Sequence, residues 1–206
     1  MVRDDVDFRR ILYSDLLYVG NASPAASPSS NAHYQALEDQ HADLSTVLTE
    51  SSQASQYGTP AEAVAGVLTT RAAANAFFYA GTNRAMLRFT MMNHMCRDLE
   101  QVKDTTRPSD RIRQDVSRSP GGDSRIFRNS CIGCHSGMDP LAQAFAYYDW
   151  EGEQEGNGGR MVYNSGNDAE TGTRVQGKYL INGNNFPWGY ITPDNSWDNY
   201  WRKGPN

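Results

Sequence analysis

Apolar residues recur at helical spacing in only a few stretches of this chain, separated by polar, proline- and glycine-rich sequence. Near the start, Val6, Phe8, Ile11, Leu12, Leu16 and Leu17 follow that spacing in part and predict a short helix over residues 3–20, ending near Tyr18-Val19-Gly20. Residues 21–31 hold only Asn, Ser, Ala and Pro, and read as a surface loop with no core-forming capacity. From His33 to Tyr57 the pattern is weak, with a helix around Tyr34–Leu37 and loops after it. Clearer helices follow. Thr59-Pro60 sets a cap residue before a proline and predicts a helix through Ala61–Thr69. Gly81-Thr82 then precedes Asn83–Val102, where Ala85, Phe89, Met92, Cys96 and Leu99 form one apolar stripe.

Residues 104–124 are polar and carry Pro108, Pro120, Gly121 and Gly122, a connector with a helical turn at Asp110–Val116. A helix is expected to start near Asp123-Ser124 and to end at a cysteine pair, and Asp139-Pro140 to cap another over Leu141–Tyr148. After Trp150 regular patterning disappears. Residues 151–206 hold ten of the eighteen glycines and three of the four tryptophans, so they predict an irregular wrap that orders by packing its rings on something flat and apolar. One hairpin is expected there, between Arg160–Tyr163 and Arg174–Ile181. The chain thus divides into an N-terminal helix and polar linker (1–57), a helical region (58–150) and the aromatic, glycine-rich wrap (151–206), which belongs to the same domain as the helices.

Composition narrows the partners. A net charge of −5 over 206 residues argues against nucleic acid or an anionic membrane as main partner. No apolar run approaches the roughly 20 residues that span a bilayer. Met1 is followed by Val-Arg-Asp-Asp-Val-Asp, without the apolar core of a signal peptide.

The densest chemistry lies at Cys131-Ile132-Gly133-Cys134-His135. Two thiols at this spacing can add to the two vinyl groups of one porphyrin, and the histidine directly after them reaches the iron as its proximal ligand. This is the haem c attachment pattern, and it implies one covalent haem and a mainly α, cytochrome-c-like helical domain. A zinc site or a thiol–disulfide switch can use the same pair. Structural zinc takes four ligands, and the only further cysteine is Cys96, with no second Cys-x-x-Cys or His-x-x-x-His. A thioredoxin-like switch follows a β-strand, whereas the sequence before Cys131 is polar and helix- or turn-like.

Covalent haem belongs to the oxidising side of a membrane, so the chain is expected to be exported, to periplasm or cell surface, and to be a piece of a longer polypeptide. Its proximal histidine requires an acceptor for the second ring nitrogen, expected from a backbone carbonyl in Ser136–Asp139. The sixth ligand decides between an electron carrier and an open iron that takes small ligands. His94 is one candidate, with Asp98 one helical turn on to orient it; the competing reading is a surface histidine paired with Asp98. Met161, in Gly158-Gly159-Arg160-Met161-Val162, is the alternative, against an ordinary half-buried methionine. Met138 lies too close to His135 to ligate and reads as packing. Met86, Met91, Met92 and Met95 read as core filler, and His33 and His41 as solvated. Cys96 falls on the apolar stripe and reads as a buried thiol, or as half of a disulfide whose partner lies elsewhere. Among Arg113, Arg118, Arg125, Arg128 and Arg160, one is expected to pair with a haem propionate.

Beyond the haem motif, several strings carry a wider likeness: Gly66-Val67-Leu68-Thr69-Thr70, Gly81-Thr82-Asn83-Arg84, Pro120-Gly121-Gly122-Asp123, Gly137-Met138-Asp139-Pro140-Leu141 and Ala144-Phe145-Ala146-Tyr147-Tyr148-Asp149. Together with the opening from Phe8 to Val19, they resemble the haem-bearing C-terminal region of large, exported, cytochrome-like bacterial proteins of planctomycete and myxobacterial type, assigned to domains of unknown function. The resemblance covers most of the chain. It implies an extracytoplasmic haem protein within a longer polypeptide and does not specify a reaction. Three functions follow as expectations: electron transfer to redox partner proteins or other haem-bearing copies, a peroxidase-like enzyme with an open distal site, and haem as a structural element of a larger surface protein. Electron transfer leads, because no distal acid–base pair accompanies the motif.

Overall fold

A computed structural model describes residues 4–79, 83–107, 124–153, 158–167, 172 and 194–201. The chain divides into two compact units, one of Met1–Ala80 with Asp149–Tyr163 and one of Gly81–Tyr148 with Asn164–Asn206.

In the first unit the predicted opening helix is short, α1 at Arg10–Tyr13, and the chain then extends into β1, Leu17–Val19. The carboxylate of Asp15 accepts from the Ser52 hydroxyl at 2.5 Å and from the Ala54 N–H at 3.1 Å. That tie draws Leu16 and Leu17 out of helical phase and alongside β2, Thr49–Ser51, antiparallel, with Leu17 opposite Ser51 and Val19 opposite Thr49. Between the strands lie α2 (Ala32–Asp39), which contains the expected Tyr34–Leu37 helix, and α3 (Leu44–Val47), capped by Asp43. After β2 comes α4 (Gln53–Tyr57), capped by Ser52.

The helix expected over Ala61–Thr69 is instead two 3-10 turns, Ala61–Ala63 and Gly66–Thr69. Gly66 breaks it: its φ is +52°, and a Cβ there would run into the Ile11 carbonyl. Thr70 then caps α5, Arg71–Phe78. The second sheet pairs β3 (Tyr148–Glu151) with β4 (Arg160–Tyr163). The hairpin strand at 160–163 is therefore present with a different partner; Arg174–Ile181 lies outside the described residues. Leu17, Leu37, Ala63, Ala74, Phe78 and Trp150 are buried in this unit. Arg71 is buried with them, its Nε donating to the Gly159 carbonyl at 3.0 Å and its guanidinium 5.5 Å from the Trp150 ring centroid.

His33 is not solvated. It is 1% exposed. Its Nδ1 donates to the Pro24 carbonyl at 2.9 Å and its Nε2 accepts the Gly20 N–H at 3.1 Å, which fixes the neutral Nδ1–H tautomer. The polar loop around it supplies these partners from backbone, which residue type does not reveal. His41 is exposed, as expected.

In the second unit, α6 runs Asn83–His94 and stops there, eight residues short of the predicted end at Val102. Cys96 takes a left-handed φ of 51°. Asp98 and Gln101 then form a capping box on a 3-10 turn, Leu99–Gln101. The connector residues 108–123 lie outside the described residues, and the expected turn at Asp110–Val116 with them. Beyond it Ser124–Ile126 forms a single α turn, Phe127–Cys131 a π-helical turn and Ile132–Ala142 a helix, α7, followed by a 3-10 turn at Gln143–Phe145. Asp139-Pro140 therefore lies inside α7 and opens no new helix. The predicted Leu141–Tyr148 helix is the end of α7, that 3-10 turn, a turn at Ala146-Tyr147 and the first residue of β3.

α6 packs on α7. Leu87, Met91, Leu99, Met138 and Ala142 form the core between them, with Val102, Cys134, Leu141, Phe145 and Trp201 packed against it. Within α6 the predicted stripe is thus the wrong face: Met92 and, past the helix end, Cys96 are exposed, while Asn83, Met86, Leu87 and Met91 are buried; Leu99, the last member of the stripe, does reach the core. Gly137 admits the Trp201 ring against α7, and a Cβ there would overlap the indole. The expected helical content is present in part: about half of the chain is helical and the described residues hold two small antiparallel sheets, a mixed α/β arrangement that is not clearly cytochrome-c-like. Among the described residues no helix is long and apolar enough to cross a membrane.

Candidate functional site

Cys131 and Cys134 sit where the π-helical turn passes into α7, rather than at the end of a helix as expected. At 100° per residue the two positions differ by about 60° around the axis, and His135 lies about 40° to the other side of Cys131. A π turn widens the helix by one residue and re-aims the side chains that leave it. Both cysteines are half-buried free thiols. Cys134 leans against the apolar core, and burial pushes its thiol up from the ordinary range, with the charges of Glu100 and Asp98 adding to the rise and Lys103 opposing it.

His135 is the best-organised group of the motif. Its Nδ1 donates to the Asp139 Oδ1 at 3.0 Å, one helical turn on. The expected region holds the acceptor, but the acceptor is a carboxylate and not a backbone carbonyl. Asp139 is nearly fully buried, and the Arg84 Nε approaches the same Oδ1 at 3.9 Å from the first turn of α6. The Phe127 ring lies 6.1 Å from the imidazole, centroid to centroid. With Nδ1 engaged, Nε2 is the nitrogen left for an iron.

The donor set fits haem c: two reduced thiols at adjacent helical positions, one oriented imidazole, and apolar side chains behind Cys134. Among the described residues no group of three or more His, Cys, Asp or Glu side chains is placed to hold a metal ion.

The remaining candidates are scattered. His94 ends α6, half-buried, its Nε2 shielded from solvent. Asp98 does not stand one helical turn beyond it, because the helix has ended. Asp98 instead accepts from the Arg88 Nε at 3.1 Å and Nη2 at 3.0 Å, and caps the following 3-10 turn. Met161 is half-buried in β4, in the first unit, whereas Cys131, Cys134 and His135 belong to the second. Met138 is buried core, as its reading as packing requires. Cys96 is exposed, not buried, since the helix that carried the stripe stops short of it. Arg113 and Arg118 lie outside the described residues; Arg125 and Arg128 are exposed, and Arg160 pairs with Glu151 at 3.2 Å.

Sequence reasoning passed over Asp139 and Arg84. Asp139 carries a legible signal, an acid four residues after the motif histidine on one helix face. Arg84 has none, because it reaches the site only through the packing of α6 on α7. In comparisons with known proteins, no family model, curated protein or solved structure matches the chain.

Proposed function

We propose that this chain is a c-type cytochrome unit. It carries one haem bound through Cys131 and Cys134, takes His135 as proximal iron ligand, and transfers electrons outside the cytoplasm to protein partners or to other haem-bearing copies. The supporting observation is the pairing of two reduced thiols at adjacent helical positions with an imidazole whose Nδ1 is already held at 3.0 Å by Asp139. The likeness to the haem-bearing region of large exported bacterial proteins points the same way. It is the basis for proposing export, a longer parent polypeptide and a cytochrome-c-like arrangement of the helices.

When bound, the haem supplies a one-electron ferric–ferrous couple. The chain's own residues do the rest. Cys131 and Cys134 fix the position of the ring, and His135 supplies the nitrogen. Leu87, Met91, Leu99 and Met138 form the apolar core against which Cys134 packs. His94 is the sixth-ligand candidate that lies in the same unit as the motif.

The test is an optical spectrum of protein expressed with haem maturation, oxidised and dithionite-reduced, with haem staining after denaturing electrophoresis. Sharp low-spin bands indifferent to carbon monoxide are expected, with stain that survives denaturation and is lost in the Cys131→Ser/Cys134→Ser double variant. A high-spin spectrum shifted by carbon monoxide would replace electron transfer with an open-iron enzyme. A chain without covalent haem would refute the reading.

A further inference from the structure

Oδ1 of Asp139 accepts from Nδ1 of His135 at 3.0 Å and faces Nε of Arg84 at 3.9 Å, an ion pair beyond hydrogen-bond reach. The carboxylate side chain is 5% exposed, His135 19% and Arg84 16%, so water does little to dilute the interaction. The core of this helix is apolar and does not use the carboxylate, and the neighbouring Ser136 hydroxyl and Gln143 side-chain N–H donate to the backbone carbonyls of Ile132 and Asp139. A nearly buried carboxylate aimed at a ring nitrogen and flanked by a guanidinium therefore calls for a role through that ring.

From this geometry we infer that Asp139, opposed by Arg84, is a positioning residue that sets the reduction potential of the iron bound by His135. The inference rests on the haem reading above. A full negative charge accepting the Nδ1 proton makes the ring more electron-rich and Nε2 a stronger donor, and ligand basicity rises with such partners. Ferric iron is stabilised more than ferrous, so the potential falls. Arg84 draws on the same oxygen and moderates the fall. Because the pair is set one turn apart on α7, it also holds the ring in one tautomer and one rotation before haem arrives.

The experiment is a potentiometric titration of the full haem-loaded chain, followed by absorbance, for the parent, Asp139→Asn, Arg84→Gln and the double variant. Asparagine keeps the shape and an acceptor oxygen but removes the charge. Asp139→Asn is expected to favour ferrous iron at least tenfold, about 59 mV for one electron. Arg84→Gln is expected to move the potential down, and the double variant to behave like Asp139→Asn, since Arg84 acts through the carboxylate. A merely structural role moves stability and leaves the midpoint where it was. Unchanged midpoints in haem-loaded Asp139→Asn would overturn the inference and leave the cytochrome reading standing. A parent without covalent haem overturns both. If Asp139→Asn does not retain haem, Arg84→Gln decides alone: a lowered midpoint supports the inference and an unchanged one overturns it.

Discussion

Gly137→Ala makes a sharp test of how α7 is held, because its sign depends on one neighbour. In an isolated helix the change favours folding by about 1 kcal/mol. Here the added Cβ would overlap the Nε1 and Cε2 atoms of Trp201, with Cδ1 at 2.7 Å. These atoms belong to a rigid ring packed against the Leu87–Met91–Met138 core, not to the flexible end of a side chain. Overpacking of this kind costs about 1–3 kcal/mol, and a rigid neighbour places it in the upper half, so the net loss is about 1–2 kcal/mol. Trp201→Ala removes the obstacle at its own cost of about 2–3 kcal/mol, below the value for a fully buried tryptophan because the ring is half-buried. In that background Gly137→Ala should stabilise by about 0.5–1 kcal/mol, leaving a coupling of about 2 kcal/mol in the double-mutant cycle. Urea denaturation followed by far-ultraviolet circular dichroism reads all four proteins. Were Gly137→Ala as stable as the parent with Trp201 in place, the packing of the ring on this glycine would be refuted.

Two further outcomes are expected. His33→Ala removes a buried ring and leaves the part-buried Gly20 N–H and the Pro24 carbonyl without their side-chain partner, and should cost about 1–3 kcal/mol in urea midpoint analysis, whereas His41→Asn, exposed and in a conformation asparagine tolerates, should lie within about 0.5 kcal/mol of the parent; equal losses would refute a structural role for His33. In haem-free protein at pH 8, Cys134 should alkylate more slowly than exposed Cys96, because burial raises its thiol and leaves less of the reactive thiolate. Peptide mass mapping over a time course reads this, and equal rates would contradict the packing of Cys134 on the core.

How far the chain could be read in advance depended on whether a feature was local. The helix at Tyr34–Leu37 and the strand at Arg160–Tyr163 are written in contiguous residues and appear in the fold. The face of α6 is not. That helix is apolar on two sides, and only the Met138–Ala142 surface of α7 selects Leu87 and Met91 over Phe89 and Met92. The same holds where an Asx-like tie reaches across the sequence: Asp15 bonds to Ser52, and a stretch with helical spacing becomes a strand. Asp139-Pro140 misled because proline after an acid usually opens a helix. Inside α7 its missing N–H costs one bond at a position fixed by packing on both sides. At the candidate site the spacing of Cys131, Cys134 and His135 is local in the sequence, and the acid behind the histidine lies one helical turn on. Arg84, 55 residues away from Asp139 in the chain, belongs to tertiary packing alone.

The bond from Arg71 to the Gly159 carbonyl joins residues 88 positions apart. On a ribosome adding about 5–20 residues each second, the arginine is made roughly 4 to 18 s before its acceptor exists. Through that interval the first unit holds a cation destined for its interior, without β4 and, for most of it, without Trp150. The whole second-unit stretch from Gly81 to Tyr148, haem motif included, is meanwhile being synthesised. The last piece of the first unit thus arrives after Cys131 and Cys134, so the opening eighty residues wait several seconds, open to neighbouring chains, before they can close.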